Sequence, residues 1–262
     1  MQKLVRNKWA LILGGSSGLG LATAHKLALH GFNLLVVHRD RKTDMEGIQR
    51  EFETIRAKGV TLNTINGDAI SADRRQAMLS EMKQILKDNT IDVLVHSIAK
   101  GNLKPMLSDT SSTLKNQDFQ LTIDAMALSF YDWTKLLIEN KCLASDARVM
   151  AFTSEGNTKS WSSYAAVSAA KAALEAIMRN MALEFAPLGI KCNCIQAGVT
   201  ETKSLKMIPG HELLIKAAQQ RNPNKRLTRP EDVANVVYLL TKEEALWING
   251  TVIKVDGGES IR

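Results

Sequence analysis

Seven short apolar runs, each followed by a polar or helical stretch, constrain this chain more than any other feature. Trp9–Leu13, Leu34–Val37, Thr61–Ile65, Val93–Val95, Val149–Phe152, Lys191–Ile195 and Thr251–Val255 read as strands. Their length and Val/Ile/Leu content suit strands covered on both faces. Between them, about Leu19–His30, Asp44–Lys58, Ala72–Lys87, Leu114–Asn140, Tyr164–Phe185 and Pro230–Leu240 read as helices. This alternation predicts βαβ units and an α/β fold: a doubly wound, seven-stranded parallel sheet in a three-layer Rossmann sandwich. No repeat, low-complexity tract or linker interrupts residues 1–262, so a single domain is expected. Its ligand crevice should lie at the carboxyl ends of the strands.

The first strand runs straight into Gly14-Gly15-Ser16-Ser17-Gly18-Leu19-Gly20 and then a helix. Glycines there let backbone approach phosphates, and the helix start offers free N–H groups and a positive dipole end. Gly14, Ser16, Ser17, Gly18, Leu19 and Gly20 are therefore the expected dinucleotide contacts. The second strand ends in His38-Arg39-Asp40-Arg41-Lys42. An acidic residue at this tip suits the NAD ribose, whereas an arginine accommodates the extra phosphate of NADP. With His38 and Arg39 at the tip and Asp40 set later, NADPH is the expected cofactor.

Asp68, followed by Ala69 after the third strand, can accept from an adenine amino group or cap the next helix. Ser97, Ile98 and Ala99 after the fourth strand are small enough to admit a flat ligand. His96 has no second His or carboxylate at ligand spacing and reads as structural, with no metal expected. After the sixth strand, Gly198 and Val199 offer backbone amides to a carboxamide, and Thr200 or Thr202 a hydroxyl to a phosphate. Residues 203–224 are poorly periodic and set Leu205, Met207, Ile208, Leu213 and Leu214 among polar residues. That pattern suits a mobile lid over an apolar ligand, or a surface excursion.

The chemistry is concentrated in one helical run, in which Tyr164 and Lys171 stand seven residues apart. Seven steps nearly complete two turns, so both side chains share a face at about 10 Å along the axis. A phenol is a poor acid at neutral pH unless a nearby cation favours its anion, which Lys171 can supply. Tyr164 can then give a proton to an oxygen that gains charge during reduction. Ser154, ten residues before Tyr164, adds a hydroxyl at the end of the fifth strand. No G-x-S-x-G elbow accompanies it, which argues against a hydrolase.

Composition excludes several classes. The net charge of +7 is spread along the chain without a Lys/Arg run, so no nucleic-acid partner is expected. Three cysteines without a C-x-x-C pair suit a reducing compartment. Met1–Lys8 lacks an apolar signal region, and no run reaches the roughly 18 apolar residues of a membrane span. The expectation is a cytoplasmic protein with no membrane partner.

Taken together, the glycine loop, Asp68, the Tyr164/Lys171 helix, Ala197-Gly198, Arg226-x3-Pro230-Glu231-Asp232-Val233-Ala234 and Val255-Asp256-Gly257-Gly258 resemble the short-chain dehydrogenase/reductase family from Gly14 to Gly258. The commoner family pattern has Tyr-x3-Lys, Asn-Asn-Ala-Gly after the fourth strand and an active-site Asn. Here stand Tyr164-x6-Lys171, His96-Ser97-Ile98-Ala99 and Asp124. These changes resemble the divergent branch of enoyl-acyl carrier protein reductases.

A carbonyl reductase needs its acid beside the carbon that receives hydride. An enoyl thioester takes hydride at its β-carbon, and charge appears two atoms away, on the thioester oxygen. The donor must then sit further from the nicotinamide. The resemblance implies that Tyr164 stabilises and protonates the enolate, that Lys171 holds the nicotinamide ribose, and that Ser154 gives a second hydrogen bond. It further implies NADPH, an acyl thioester on acyl carrier protein or CoA, a role in fatty acid synthesis, and a homotetramer packed through 114–140 and 161–185. A 3-oxoacyl or other carbonyl reductase is the alternative, and a non-catalytic NADP(H) sensor a third reading.

Overall fold

In the computed structural model, which describes residues 7–262, the seven apolar runs become one parallel sheet in the order β3-β2-β1-β4-β5-β6-β7. The strands are β1 Trp9–Leu13, β2 Asn33–His38, β3 Leu62–Asn66, β4 Ile91–His96, β5 Leu143–Ser154, β6 Lys191–Ala197 and β7 Val252–Val255. The helices are α1 Gly18–Leu29, α2 Met45–Arg56, α3 Ala72–Leu86, α4 Asn116–Ile123, α5 Ser129–Glu139, α6 Ala165–Glu184, α7 Lys203–Lys206, α8 His211–Arg221 and α9 Pro230–Leu240. β1 pairs with both β2 and β4. The strand order reverses there, so the loops after β1 and β4 diverge and leave a crevice between them. The reading of the chain's first residues concerns Met1–Arg6, which lie outside the described residues.

Alternation along the strands divides the interior in two. Leu11, Leu13, Leu35, Val37, Val149, Ala151, Cys192 and Cys194 pack with α3, α5 and α6, where Met82, Phe130, Trp133, Leu174 and Met178 close the layer. Ile12, Val36, Val95, Met150, Phe152 and Ile195 face α1, α2 and α9 through Ala24, Leu27, Phe52, Val233 and Val237. With both faces covered, the strands read as unbroken apolar runs. All three cysteines are free and buried. Among the described residues, no helix is long and apolar enough to cross a membrane.

Three elements differ from the sequence expectation. β5 begins at Leu143 rather than Val149, because buried Arg148 interrupts the apolar run while its Nε donates to Leu240 O at 3.0 Å. The single helix expected over 114–140 is α4, a wide π turn at Asp124–Leu128 and α5. An extra residue in such a turn rotates the face that follows, a departure that leaves little trace in periodicity. Residues 203–224 hold α7 and α8, in which buried Leu205 and Ala218 gather Ile208, Leu214, Ile215 and Leu227 against Val199.

Trp133 links this core to the site. It is fully buried on α5, and its indole N–H donates to Ala69 O at 2.9 Å in the loop after β3. Trp133→Ala should lower unfolding free energy by about 3–5 kcal/mol from lost burial and cavity formation. Trp133→Phe should cost about 1–3 kcal/mol, chiefly through the orphaned carbonyl. Urea unfolding midpoints with an unchanged slope would measure both.

Candidate active site at the carboxyl ends of the strands

The glycine loop is fixed by backbone. Leu13 O accepts from Ser97 N at 2.8 Å, and Gly14 N donates to Val37 O at 2.7 Å, so the ends of β1, β2 and β4 are tied together. Gly14 has φ +85°, and a Cβ there would lie 2.5 Å from Ser97 O. A Cβ on Gly20 would lie 2.1 Å from Gly14 O. Only glycine permits this fold-back of the loop beneath the first turn of α1. Ser17 precedes α1 in extended conformation without a side-chain cap bond. No side chain therefore competes for the N–H groups of the first turn, which suits a pyrophosphate. Ser16, Ser17, Gly18 and Leu19 surround that end half-exposed. Thr202 stands opposite, its Cγ2 3.4 Å from where a Gly18 Cβ would be. This cradle fits a dinucleotide.

At the tip of β2, the structure separates His38 from Arg39. Alternation sends His38 to the face of Leu34 and Val36, where it is buried edge-on to Phe52 at 5.5 Å. Its Nδ1 pairs with Asp40 Oδ2 at 2.8 Å, so it does not present its ring to a ribose phosphate. Arg39 is exposed and pairs with Asp68 Oδ2 at 2.9 Å. Asp68 accepts from Ile70 N through Oδ1 at 3.0 Å, so it caps its own turn while holding the arginine. Ala69 is buried beside it.

Past β4, His96 is buried with its Nε2 2.7 Å from Ser129 Oγ. Burial first, and the Lys171 charge second, push its pKa down to about 3. It is a neutral ring in the wall. Ser97 Oγ would be 3.0 Å from a Gly20 Cβ, and Ile98 packs onto the core with Ala99 after it. Past β6, a Gly198 Cβ would meet Thr228 Oγ1 at 2.4 Å. Thr200 donates to Gly198 O at 2.9 Å. The Val199 N–H, expected to face a carboxamide, donates instead to Glu259 Oε2 at 3.2 Å.

Tyr164 caps α6 rather than lying within it. Ser163 takes the left-handed region (φ 62°), Tyr164 follows at φ −110° and ψ 0°, and its carbonyl accepts from Ser168 N at 2.9 Å. The phenol ring is buried among Met126, Val167 and Ala170, with Leu103, Ile123, Trp161 and Ile208 around it. Burial raises its pKa, and the Ser154 hydroxyl beside it offsets part of that rise. The expected acidification by Lys171 is not found: burial governs the phenol, because the phenolate would be charge in an apolar wall. Apart from the Tyr164 hydroxyl beside it, Ser154 Oγ is buried without a hydrogen-bond partner.

Lys171 is 8 % exposed, and its Nζ donates to Phe152 O at 2.7 Å. Burial lowers its pKa to about 8, against the opposing pull of Cys194 and Glu175. Sequence reasoning missed Glu175, although it lies four residues after Lys171, one helical turn on. Its buried carboxylate accepts from Thr153 Oγ1 and Asn157 Nδ2, each at 2.6 Å. It also missed Glu155, Arg221 and Glu259, whose charged types in polar stretches carry no local signal.

A protein-family model described as Enoyl-(Acyl carrier protein) reductase matches residues 14–260. Dehydrogenase/reductase SDR family member 4 of Mus musculus is 26% identical over 259 residues, covering 98% of this chain and 88% of that protein. The solved enoyl-[acyl-carrier-protein] reductase (NADH) of Aquifex aeolicus VF5 superposes with a TM-score of 0.84 at 24% identity, covering 99% of both chains. A 3-oxoacyl-[acyl-carrier protein] reductase from Brucella melitensis gives 0.81 at 21% identity over 98% of each. The two solved structures establish likeness of fold.

Any turnover that needs the Lys171 ammonium should fall as pH rises through about 8, where the amine loses its proton. Glu175→Gln removes a charge that favours the ammonium, so this alkaline limb should move to lower pH. A pH–rate profile of both proteins measures the displacement, and coincident limbs would dissociate Glu175 from Lys171.

Proposed function

The chain belongs to the short-chain dehydrogenase/reductase family, and from that premise we propose that it reduces the carbon–carbon double bond of trans-2-enoyl thioesters with NADPH. The observation that carries this reading is the Tyr164-x6-Lys171 spacing, which puts the phenol at the start of α6 inside an apolar wall and the ammonium two turns on. Leu103, Trp161 and Ile208 beside the ring suit an acyl chain. Bound along the glycine loop, NADPH supplies the hydride.

The residues of this chain do the rest. The phenol is protonated at neutral pH and burial raises its pKa further, so Tyr164 donates to the thioester oxygen and gives up its proton as charge collects there. An ammonium has three N–H donors. Lys171 uses one on Phe152 O and has the others for ribose hydroxyls. Ser154 Oγ, buried with no partner but the Tyr164 hydroxyl beside it, is placed to donate a second hydrogen bond to the same substrate oxygen. Arg39, exposed and paired with Asp68, would hold a 2′-phosphate, which is the basis for proposing NADPH over NADH.

The substrate is proposed to arrive on acyl carrier protein, in a cytoplasmic homotetramer packed through 114–140 and 161–185. Leu128, Tyr131, Ile177, Met181 and Phe185 line a groove between α5 and α6 that such packing would cover. Carbonyl reduction is the second reading, favoured by the proximity of Ser154 to Tyr164, since paired hydroxyls also suit a carbonyl oxygen.

NADPH oxidation should be fast with crotonyl thioester and slow with acetoacetyl thioester. The reverse order would replace the first reading with the second. Tyr164→Phe should lower kcat by about 100-fold or more, the typical yield of a positioned acid. Arg39→Ala should raise KM for NADPH by roughly tenfold and leave KM for NADH unchanged, the loss of one charge-assisted contact.

A further inference from the structure

Arg221, the last residue of α8, joins two buried carboxylates that the proposed chemistry does not use. Its Nη2 donates to Glu155 Oε1 and, at 2.5 Å, to Glu259 Oε1. Glu155 follows Ser154 directly and is 5 % exposed, while Glu259 is fully buried. The second oxygen of Glu259 accepts the Val199 N–H at 3.2 Å. The second oxygen of Glu155 lies 2.8 Å from Lys159 Nζ. Asn222, the next residue after Arg221, is buried and donates to Asp256 O at 2.8 Å. One guanidinium thus ties together the end of β5, the turn after β6 and the helix over the site.

The cluster is expensive to keep inside the protein. Carboxylates without a cation are costly when buried, and apolar replacements for such clusters are often neutral or stabilising. Its position is what distinguishes it. On the substrate side, Ile208 packs both against the Tyr164 cluster and against a cluster of Leu205 on α7 with Leu214 and Ile215 on α8. A shift of α8 is therefore felt at the phenol ring. On the cofactor side, Glu259 holds the Val199 amide within the turn Gly198–Thr202.

We propose that Arg221 is a positioning residue: by gripping Glu155 and Glu259 together, it makes α8 and the turn after β6 move as one unit. Closure over an acyl substrate is then coupled to the turn that meets the nicotinamide end of the cofactor. This rests on the reading of Ser154, Tyr164 and residues 198–202 given above, but its test does not rest on turnover alone.

Hydrogen exchange without ligand comes first. Arg221→Gln should speed exchange across 203–222 and at Val199 while leaving β1 and β4 protected. In kinetics, the same variant should raise KM for crotonyl thioester and the dissociation constant for NADPH by about tenfold each, within the usual range of coupling between sites, with kcat changed far less. Arg221→Lys, which retains a cation, should restore most of both. If Arg221→Gln does not fold, Glu259→Gln removes one charge, leaves the guanidinium with a single carboxylate and keeps an oxygen for the Val199 amide. It should then give the same pattern more weakly.

Unchanged exchange at 203–222, or a uniform loss of protection with kcat falling alone, would overturn the proposal. A wild-type protein inactive on enoyl thioesters would remove the proposed reaction, and the exchange data and NADPH affinities would still decide the clamp.

Discussion

An ammonium group in a protein interior must be compensated where it stands, and Lys171 organises the centre of this molecule for that reason. Its Nζ has a main-chain carbonyl of β5 as acceptor and a carboxylate one turn along its own helix. That carboxylate is held in turn by Thr153 and Asn157. α6 is thereby locked to the end of β5 at the point where Ser154 and Tyr164 converge. The same charge helps keep His96 neutral in the neighbouring strand. Helix, strand end and proton donor share one electrostatic constraint.

The crevice has two walls built by different physics. The cofactor wall is backbone: Leu13 O to Ser97 N, Gly14 and Gly15 N to Val37 O, and glycines whose missing side chains allow the fold-back. Such a wall is rigid because each contact is made by main chain already committed to the sheet. The other wall is side chain, made of Leu103, Met126, Trp161 and Ile208 around a phenol. It is closed by a segment with few contacts to the sheet, for which a charged cluster at Arg221 provides the attachment. A wall of committed main chain thus faces a wall of side chains whose covering segment is held by packing on Val199, by Asn222 and by the Arg221 cluster.

The burial of Tyr164 bears on the chemistry more than its neighbour's charge does. A phenol held above its ordinary pKa is a secure donor at neutral pH and gains most when charge appears on the oxygen it touches, in surroundings that screen little. That balance suits a proton donor over a group kept as phenolate. The Ser154 hydroxyl lies in the same buried wall, with Tyr164 beside it.

Much of this was legible in the chain. Runs of apolar residues at strand length, helical periodicity between them and a glycine turn after the first strand determined the sheet, the layers and the crevice, because each is encoded in neighbours a few residues apart. That Tyr164 and Lys171 share one helix, and that the glycines form the turn before α1, was legible for the same reason. Tertiary structure alone decided the inward turn of His38 onto Phe52, the Arg39–Asp68 pair, the π turn at Asp124 and the pKa of Lys171. It alone brought Arg221 to Glu155 and Glu259, which are 66 and 38 residues away. Periodicity records which face of an element is apolar, but which buried charges meet depends on how the elements pack in space.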